Sequence, residues 1–155
     1  MLPKYVALVD ETKKYGLDSE AIALCGQLFT LNSQLTEECN QNLNKFGLLE
    51  GRFVAMLLIH SMGEAAPHEL STKTGLTRAS ITSIIDFLEK KGYATRIPSL
   101  SDRRSLSVRL MSEGESVLDE VLTYQLQWLE KITEPLTSEE RATLKHLLGK
   151  ISANR

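Results

Sequence analysis

A chain of 155 residues is long enough for a domain with a real core, since at this size about two-thirds of the surface is buried on folding. With 42% apolar and 25% charged residues, 9 glycines and 4 prolines, it is neither disordered, collagen-like nor low-complexity, and no window reaches the ~18 apolar residues of a membrane span. The net charge of −2 gives no sign of a polyanion binder, and two cysteines, Cys25 and Cys39, without metal-ligand spacing predict neither a disulfide framework nor a structural zinc, so no cofactor is expected.

Residues Met1 to Tyr5 lack a basic segment followed by an apolar leader, and the expected location is the cytoplasm. Residues 4 to 15 predict a short helix closed by Gly16. From Asp18, a suitable N-cap, Leu24, Leu28, Leu31, Leu35, Cys39, Leu43 and Phe46 recur at spacings of three and four, predicting one long helix closed by Gly47. Such a helix, roughly 40 Å long, outruns the body of a small domain. Part of its apolar stripe therefore needs cover from outside the chain's own core, most simply from a second copy.

Glu50 to Met62 predicts a very apolar helix, buried on most sides, and Pro67 opens a short helix that ends near Lys73. Gly75 turns the chain into Leu76 and Thr77, the N-cap of a helix over residues 78 to 91. In that helix Ile81, Ile84, Ile85 and Leu88 share about one-third of the circumference, while Ala79, Thr82, Ser83, Asp86 and Lys90 point away. Gly92 stops it. Residues 93 to 97 alternate as a strand ended by Pro98, Ser99 to Arg104 is turn chemistry, and Leu106, Val108 and Leu110 alternate with Ser107 and Arg109 as the return strand. Ser112-Glu113-Gly114-Glu115 predicts a capping box for a long helix with Val117, Leu118, Val121, Leu122, Leu129 and Ile132 inside, ending near Pro135. Thr137-Ser138-Glu139-Glu140 is a second capping box, and Leu144, Leu147, Leu148 and Ile151 make the last helix amphipathic.

The order of these elements predicts a mainly α fold with a small β-hairpin wing. Two helices joined by a tight glycine turn, the second polar outside, are the arrangement that places a recognition helix in the DNA major groove. The hairpin that follows carries Asp102, Arg103 and Arg104 at its tip. Two arginines at an exposed turn contribute little stability, because exposed ion pairs are worth only ~0 to 1 kcal/mol. In a narrow minor groove they meet strong negative potential. The local charge agrees: residues 73 to 109 hold eight basic residues against three acidic ones, whereas the remainder holds ten against seventeen. Nothing has the spacing of a nucleophile elbow, a phosphate-cradling loop or a catalytic carboxylate pair, so no enzyme is expected. The competing readings are a winged-helix module whose basic face meets an acidic protein, and a thiol-based redox sensor.

From Leu49 through Leu118 the chain resembles the MarR family of bacterial transcriptional regulators, on Glu69-Leu70, Gly75-Leu76-Thr77-Arg78, Asp86-Phe87-Leu88-Glu89-Lys90-Lys91-Gly92, Asp102-Arg103-Arg104 and Glu113-Gly114. The resemblance implies a winged helix-turn-helix homodimer joined through its N- and C-terminal helices, bound to a palindromic operator in double-stranded DNA and released by a small aromatic or hydrophobic effector or an oxidant. The implied organisation is a dimerisation region at 1–48, a DNA-binding lobe at 49–111 and dimerisation helices at 112–155. Carried over by position, Thr77, Arg78, Ser80, Thr82 and Ser83 face DNA from the recognition helix. Arg104 is the wing arginine, Asp102 orients it, and Arg103 shares the task or binds phosphate. Ser71 and Thr74 stand where an alanine and a leucine are usual, and Met111 where a threonine caps the next helix, which shifts the expected cap to Ser112. Lys90, Lys91 and Arg96 read as generic charge.

Cys25 falls where the family's organic-hydroperoxide sensors carry their reactive cysteine, although Phe29 and Cys39 replace the assisting tyrosines, and a buried structural thiol is the competing reading. Phe29, Met56, Tyr124 and Trp128 are candidates for an effector pocket between the dimerisation helices and the DNA-binding lobe. His60, His68 and His146 have no carboxylate at ligand spacing and read as core or surface residues.

Overall fold

The structure is a computed structural model and describes residues 1–98 and 106–153, Lys13 by its backbone alone. The described residues form helices α1 (Pro3–Tyr15), α2 (Ser19–Asn44), α3 (Glu50–Met62), α4 (Pro67–Thr74), α5 (Arg78–Lys90), α6 (Ser112–Thr133) and α7 (Ser138–Ala153), with strands β1 (Ala94–Pro98) and β2 (Leu106–Leu110) between α5 and α6. The chain divides into two compact units, Met1–Glu50 and Gly51–Arg155. The mainly helical fold with one hairpin is the architecture anticipated from periodicity.

In the first unit α1 lies along α2. Gly26 is buried beside Met1 and Tyr5, the Leu2 N–H donates to Thr30 Oγ1 at 2.9 Å, and the Tyr5 and Phe29 rings stack at 5.4 Å. A left-handed Gly16 ends α1, as its position predicts. Asp18 caps α2 by accepting from the Glu20 and Ala21 N–H groups at 2.9 and 3.2 Å. At 26 residues α2 is about 39 Å long. Its C-terminal end is covered at Leu43, but Leu24 and Leu31 are half exposed, so the stripe lacks cover where its length predicts.

The core of the second unit is assembled by Ala55, Met56 and Ile59 of α3, Leu70 of α4, Ile81, Ile85 and Leu88 of α5, Val108 and Leu110 of β2, and Leu118 and Val121 of α6, all buried. Each fully buried side chain of this size is worth about 1.5–3 kcal/mol. β1 and β2 pair antiparallel from Ala94 opposite Leu110 to Pro98 opposite Leu106, and Ala65 bridges Val108 from the other side. The outer end of β2 departs from the expected alternation. Leu106 lies beside the exposed Pro98, past the reach of the core, and is exposed, whereas the small Ser107 is buried.

The start of α6 also differs from the sequence expectation. Met111, not Ser112, is the N-cap, with extended backbone and no side-chain cap. The sheet dictates this: the Met111 N–H donates to the Tyr93 carbonyl at 2.9 Å, one residue beyond β2, while the Met111 carbonyl accepts the first helical bond from Glu115. Ser112 is thereby already helical. The second capping box forms as expected, with Glu140 accepting from the Thr137 N–H at 2.8 Å and Thr137 Oγ1 from the Glu140 N–H at 3.3 Å. α7 has the predicted apolar stripe, but no buried residue.

Candidate nucleic-acid interface

The turn between α4 and α5 is fixed by left-handed Gly75 and by two hydroxyls. Ser71 Oγ donates to the Leu76 carbonyl at 2.7 Å. Thr74 Oγ1 donates to the Leu70 carbonyl at 2.7 Å and accepts from the Leu76 N–H at 3.2 Å. The two departures from the family pattern in this segment thus hold the turn by hydrogen bonds. Glu69 supports the start of α4 by accepting from the Ala66 N–H at 2.7 Å.

Thr77 caps α5, its Oγ1 accepting from the Ser80 N–H at 3.2 Å and lying 2.9 Å from Ser80 Oγ. Thr82 Oγ1 donates back to the Arg78 carbonyl at 3.0 Å. Ile81, Ile85 and Leu88 are buried, while Thr77, Arg78, Ala79, Ser80, Thr82, Ser83, Asp86 and Lys90 are exposed. The five residues expected to face DNA from α5 are thus all exposed in and just before its first two turns, and four of them are uncharged. Three of their hydroxyls are already engaged locally. Among the described residues Arg78 enters no ion pair, so its guanidinium remains available, at a helix end whose dipole attracts anions. Asp102, Arg103 and Arg104 lie outside the described residues.

The flanks of α5 are held by two arginines: Arg52, which sequence reasoning did not single out, and Arg96, which it read as generic charge. The Arg52 guanidinium of α3 lies 3.6 Å from the Phe87 ring centroid, with the Lys91 ammonium at 5.9 Å from the same ring. On the other flank Arg96 of β1 pairs with Asp86 at 2.7 Å and with Glu89. Arg109 pairs with Glu64 at 3.3 Å. The positive excess counted along the sequence is therefore partly neutralised within the fold, leaving, among the described residues, Lys73, Arg78, Lys90 and Lys91 as exposed cations on and beside the helix-turn-helix.

The candidate effector residues fall in both units. Met56 is fully buried in the core, Phe29 stacks on Tyr5 in the first unit, and Trp128 is half-buried on α6. Cys25 is an exposed free thiol, contrary to a buried structural one. A cavity of about 330 Å³ lies elsewhere, lined by His60, Glu115, Ser116, Leu118, Asp119 and Leu122. There His60 Nδ1 meets Glu115 Oε2 at 2.5 Å, a pairing 55 residues apart that no local spacing announces. Among the described residues no group of three or more His, Cys, Asp or Glu is placed to hold a metal ion.

Comparison with known proteins agrees with this geometry. Residues 48–106 match the MarR family. Transcriptional repressor MprA of Escherichia coli K12 is 33% identical over 123 residues, covering 78% of this chain and 70% of MprA. The chain belongs to the MarR family. It is a transcriptional regulator and not an enzyme. A second MarR-family likeness spans more of it: HTH-type transcriptional repressor YetL of Bacillus subtilis is 26% identical over 151 residues, 96% of this chain and 90% of YetL. Among solved structures, the C80S mutant of E. coli MarR complexed with operator DNA superposes with a TM-score of 0.67 at 26% identity, covering 85% of this chain and 95% of that one.

Proposed function

We propose that the chain is a cytoplasmic, homodimeric repressor that reads a palindromic operator, laying α5 in the major groove and the hairpin in the flanking minor groove. The observation that carries the reading is α5 itself. On its inner face Ile81, Ile85 and Leu88 are buried and Ile84 is half-buried, and the rest of its surface offers short polar side chains and an available arginine, directly before a hairpin. Arg78 and Ser83 are the direct readers, because their side chains are not spent on the local bonds that engage Thr77, Ser80 and Thr82. Arg104 enters the minor groove, oriented by Asp102, with Arg103 on phosphate. The exposed apolar side chains of α1 and α2, and those of α6 and α7, are covered by the second copy, and a small aromatic or hydrophobic effector releases the complex. The likeness to MprA and YetL, both repressors, supports repression over activation.

Fluorescence anisotropy on a duplex selected by the protein from a randomised pool tests the reading. With six to ten phosphates neutralised, affinity should fall about 10³- to 10⁵-fold between 50 and 200 mM salt. Arg104→Ala or Arg78→Ala should each cost about 1–3 kcal/mol of binding while leaving the dimer intact. Wild-type affinity in both variants would refute the assignment. Titrating the complex with phenolic acids, hydrophobic drugs and peroxide, in wild type and Cys25→Ser, separates release by ligand from release by thiol oxidation.

A further inference from the structure

Arg96 is the middle residue of β1 and is shared by two carboxylates one turn apart on α5. Its Nη2 donates to Asp86 Oδ1 at 2.7 Å, its Nη1 to Glu89 Oε2, and its backbone N–H to Glu89 Oε1 at 3.0 Å. An ordinary exposed ion pair holds little in place, because both side chains keep their rotamer freedom. This contact differs in two respects. Glu89 is tied to the main chain of β1 as well as to the guanidinium, and it satisfies an N–H on the strand edge facing away from β2. The planar fork of Arg96 also spans two residues of the helix at once, which resists rotation of the strand about the contact. Arg52 over Phe87 steadies α5 from its other flank.

Reading two adjacent grooves is demanding about this angle. Each strand has five residues, so the hairpin strands reach about 17 Å at ~3.4 Å per residue. A swing of roughly 10° at the base moves their far end about 3 Å, half the ~6 Å width of the minor groove.

We propose that Arg96 is a positioning residue for operator recognition: by gripping Asp86 and Glu89 it fixes the hairpin on the recognition helix, so that both enter neighbouring grooves in one register. The proposal rests on the reading of the chain as a sequence-specific DNA binder. Arg96 acts through the helix and the hairpin rather than on DNA, which sets it apart from Arg78 and Arg104.

The experiment compares wild type, Arg96→Lys and Glu89→Gln on two probes: a 30-base-pair duplex enriched by wild type from a randomised pool, and the unselected pool. Arg96→Lys keeps the charge and loses the fork. Glu89→Gln keeps the shape and loses the charge. Both should keep the wild-type circular dichroism and bind the unselected pool within about twofold of wild type. Their preference for the enriched duplex should fall roughly tenfold, the scale of one lost base-pair contact, with weakened hydroxyl-radical protection in the flanking minor grooves and unchanged methylation interference in the major groove. Should Arg96→Lys and Glu89→Gln both retain wild-type preference and protection, the inference fails while the DNA-binding reading stands. An equal loss on both probes would make Arg96 a general stabiliser and overturn it as well. If wild type enriches no duplex at all, the reading beneath it fails too.

Discussion

Gly114 sits in the first turn of α6 against the backbone of Tyr93. A Cβ there would fall well inside van der Waals contact of the Tyr93 carbonyl oxygen, whose position is pinned by the bond it accepts from Met111. Helix propensity alone favours alanine over glycine by about 1 kcal/mol. The clash should reverse the sign, because a backbone atom cannot swing aside as a side chain can. Gly114→Ala is expected to lose about 1–3 kcal/mol of stability and to melt at a lower temperature by circular dichroism; a variant as stable as wild type or more so would show that α6 does not approach Tyr93 this closely. The sequence offers Gly114 only within a capping box and a family likeness, neither of which requires a glycine there, since the atom that forbids a side chain comes from a residue 21 positions earlier. Ser71 and Thr74 have the converse character. They stand out in the sequence as departures, and their purpose appears only when their hydroxyls meet the turn. Arg96 looks like generic charge until two carboxylates on another element are brought to it.

Helix boundaries divide along the same line between local and distant causes. The caps at Asp18, Thr77 and Thr137 are legible because donor and acceptor lie within three residues of each other. The cap of α6 is not, because the conformation of Met111 is set by the sheet. The α7 cap also has a pH signature. Glu140 is held below the ordinary glutamate range, first by the backbone N–H of Thr137 and then by its hydroxyl, against a small opposing desolvation. A carboxylate whose folded pKa is depressed contributes stability that is fully present above its unfolded pKa and lost as pH falls through the folded one. The start of α7 should therefore open in acid, seen as faster amide exchange around residues 137–141 after intrinsic rates are corrected. Glu140→Gln keeps a hydrogen-bond acceptor but has no charge to lose, so its exchange should exceed wild type near neutrality and converge with it in acid. Parallel pH profiles for the two proteins would rule the carboxylate out as the cause.

At the scale of the molecule, the helix-turn-helix half of the fold closes its own core and the terminal helices do not. In α7, Leu144, Leu147, Leu148 and Ile151 recur at helical spacing and remain 40–49% exposed. Leu126 and Leu129 of α6 are also exposed. A periodic apolar stripe left half exposed fits the proposed dimer, since monomers rarely leave contiguous apolar faces in water. The stripe is legible in the sequence, whereas its cover is not; in the proposed dimer a second copy supplies it. This makes α7 a favourable place to test assembly apart from folding. No residue of α7 is buried within the single chain, so Leu147→Glu should cost the monomer little, yet in a dimer it would place a charge in an apolar seam. Sedimentation velocity at micromolar concentration should show wild type as a dimer and Leu147→Glu as a monomer with unchanged far-ultraviolet dichroism. If, as proposed, one subunit grips only one half-site, the variant should also lose the gain from linking two binding events, about 10²- to 10⁴-fold in apparent operator affinity, with the single half-site affinity preserved. If the variant instead sediments and binds as wild type does, α7 is not the joint between subunits, and the cover for its leucines must be sought in another partner.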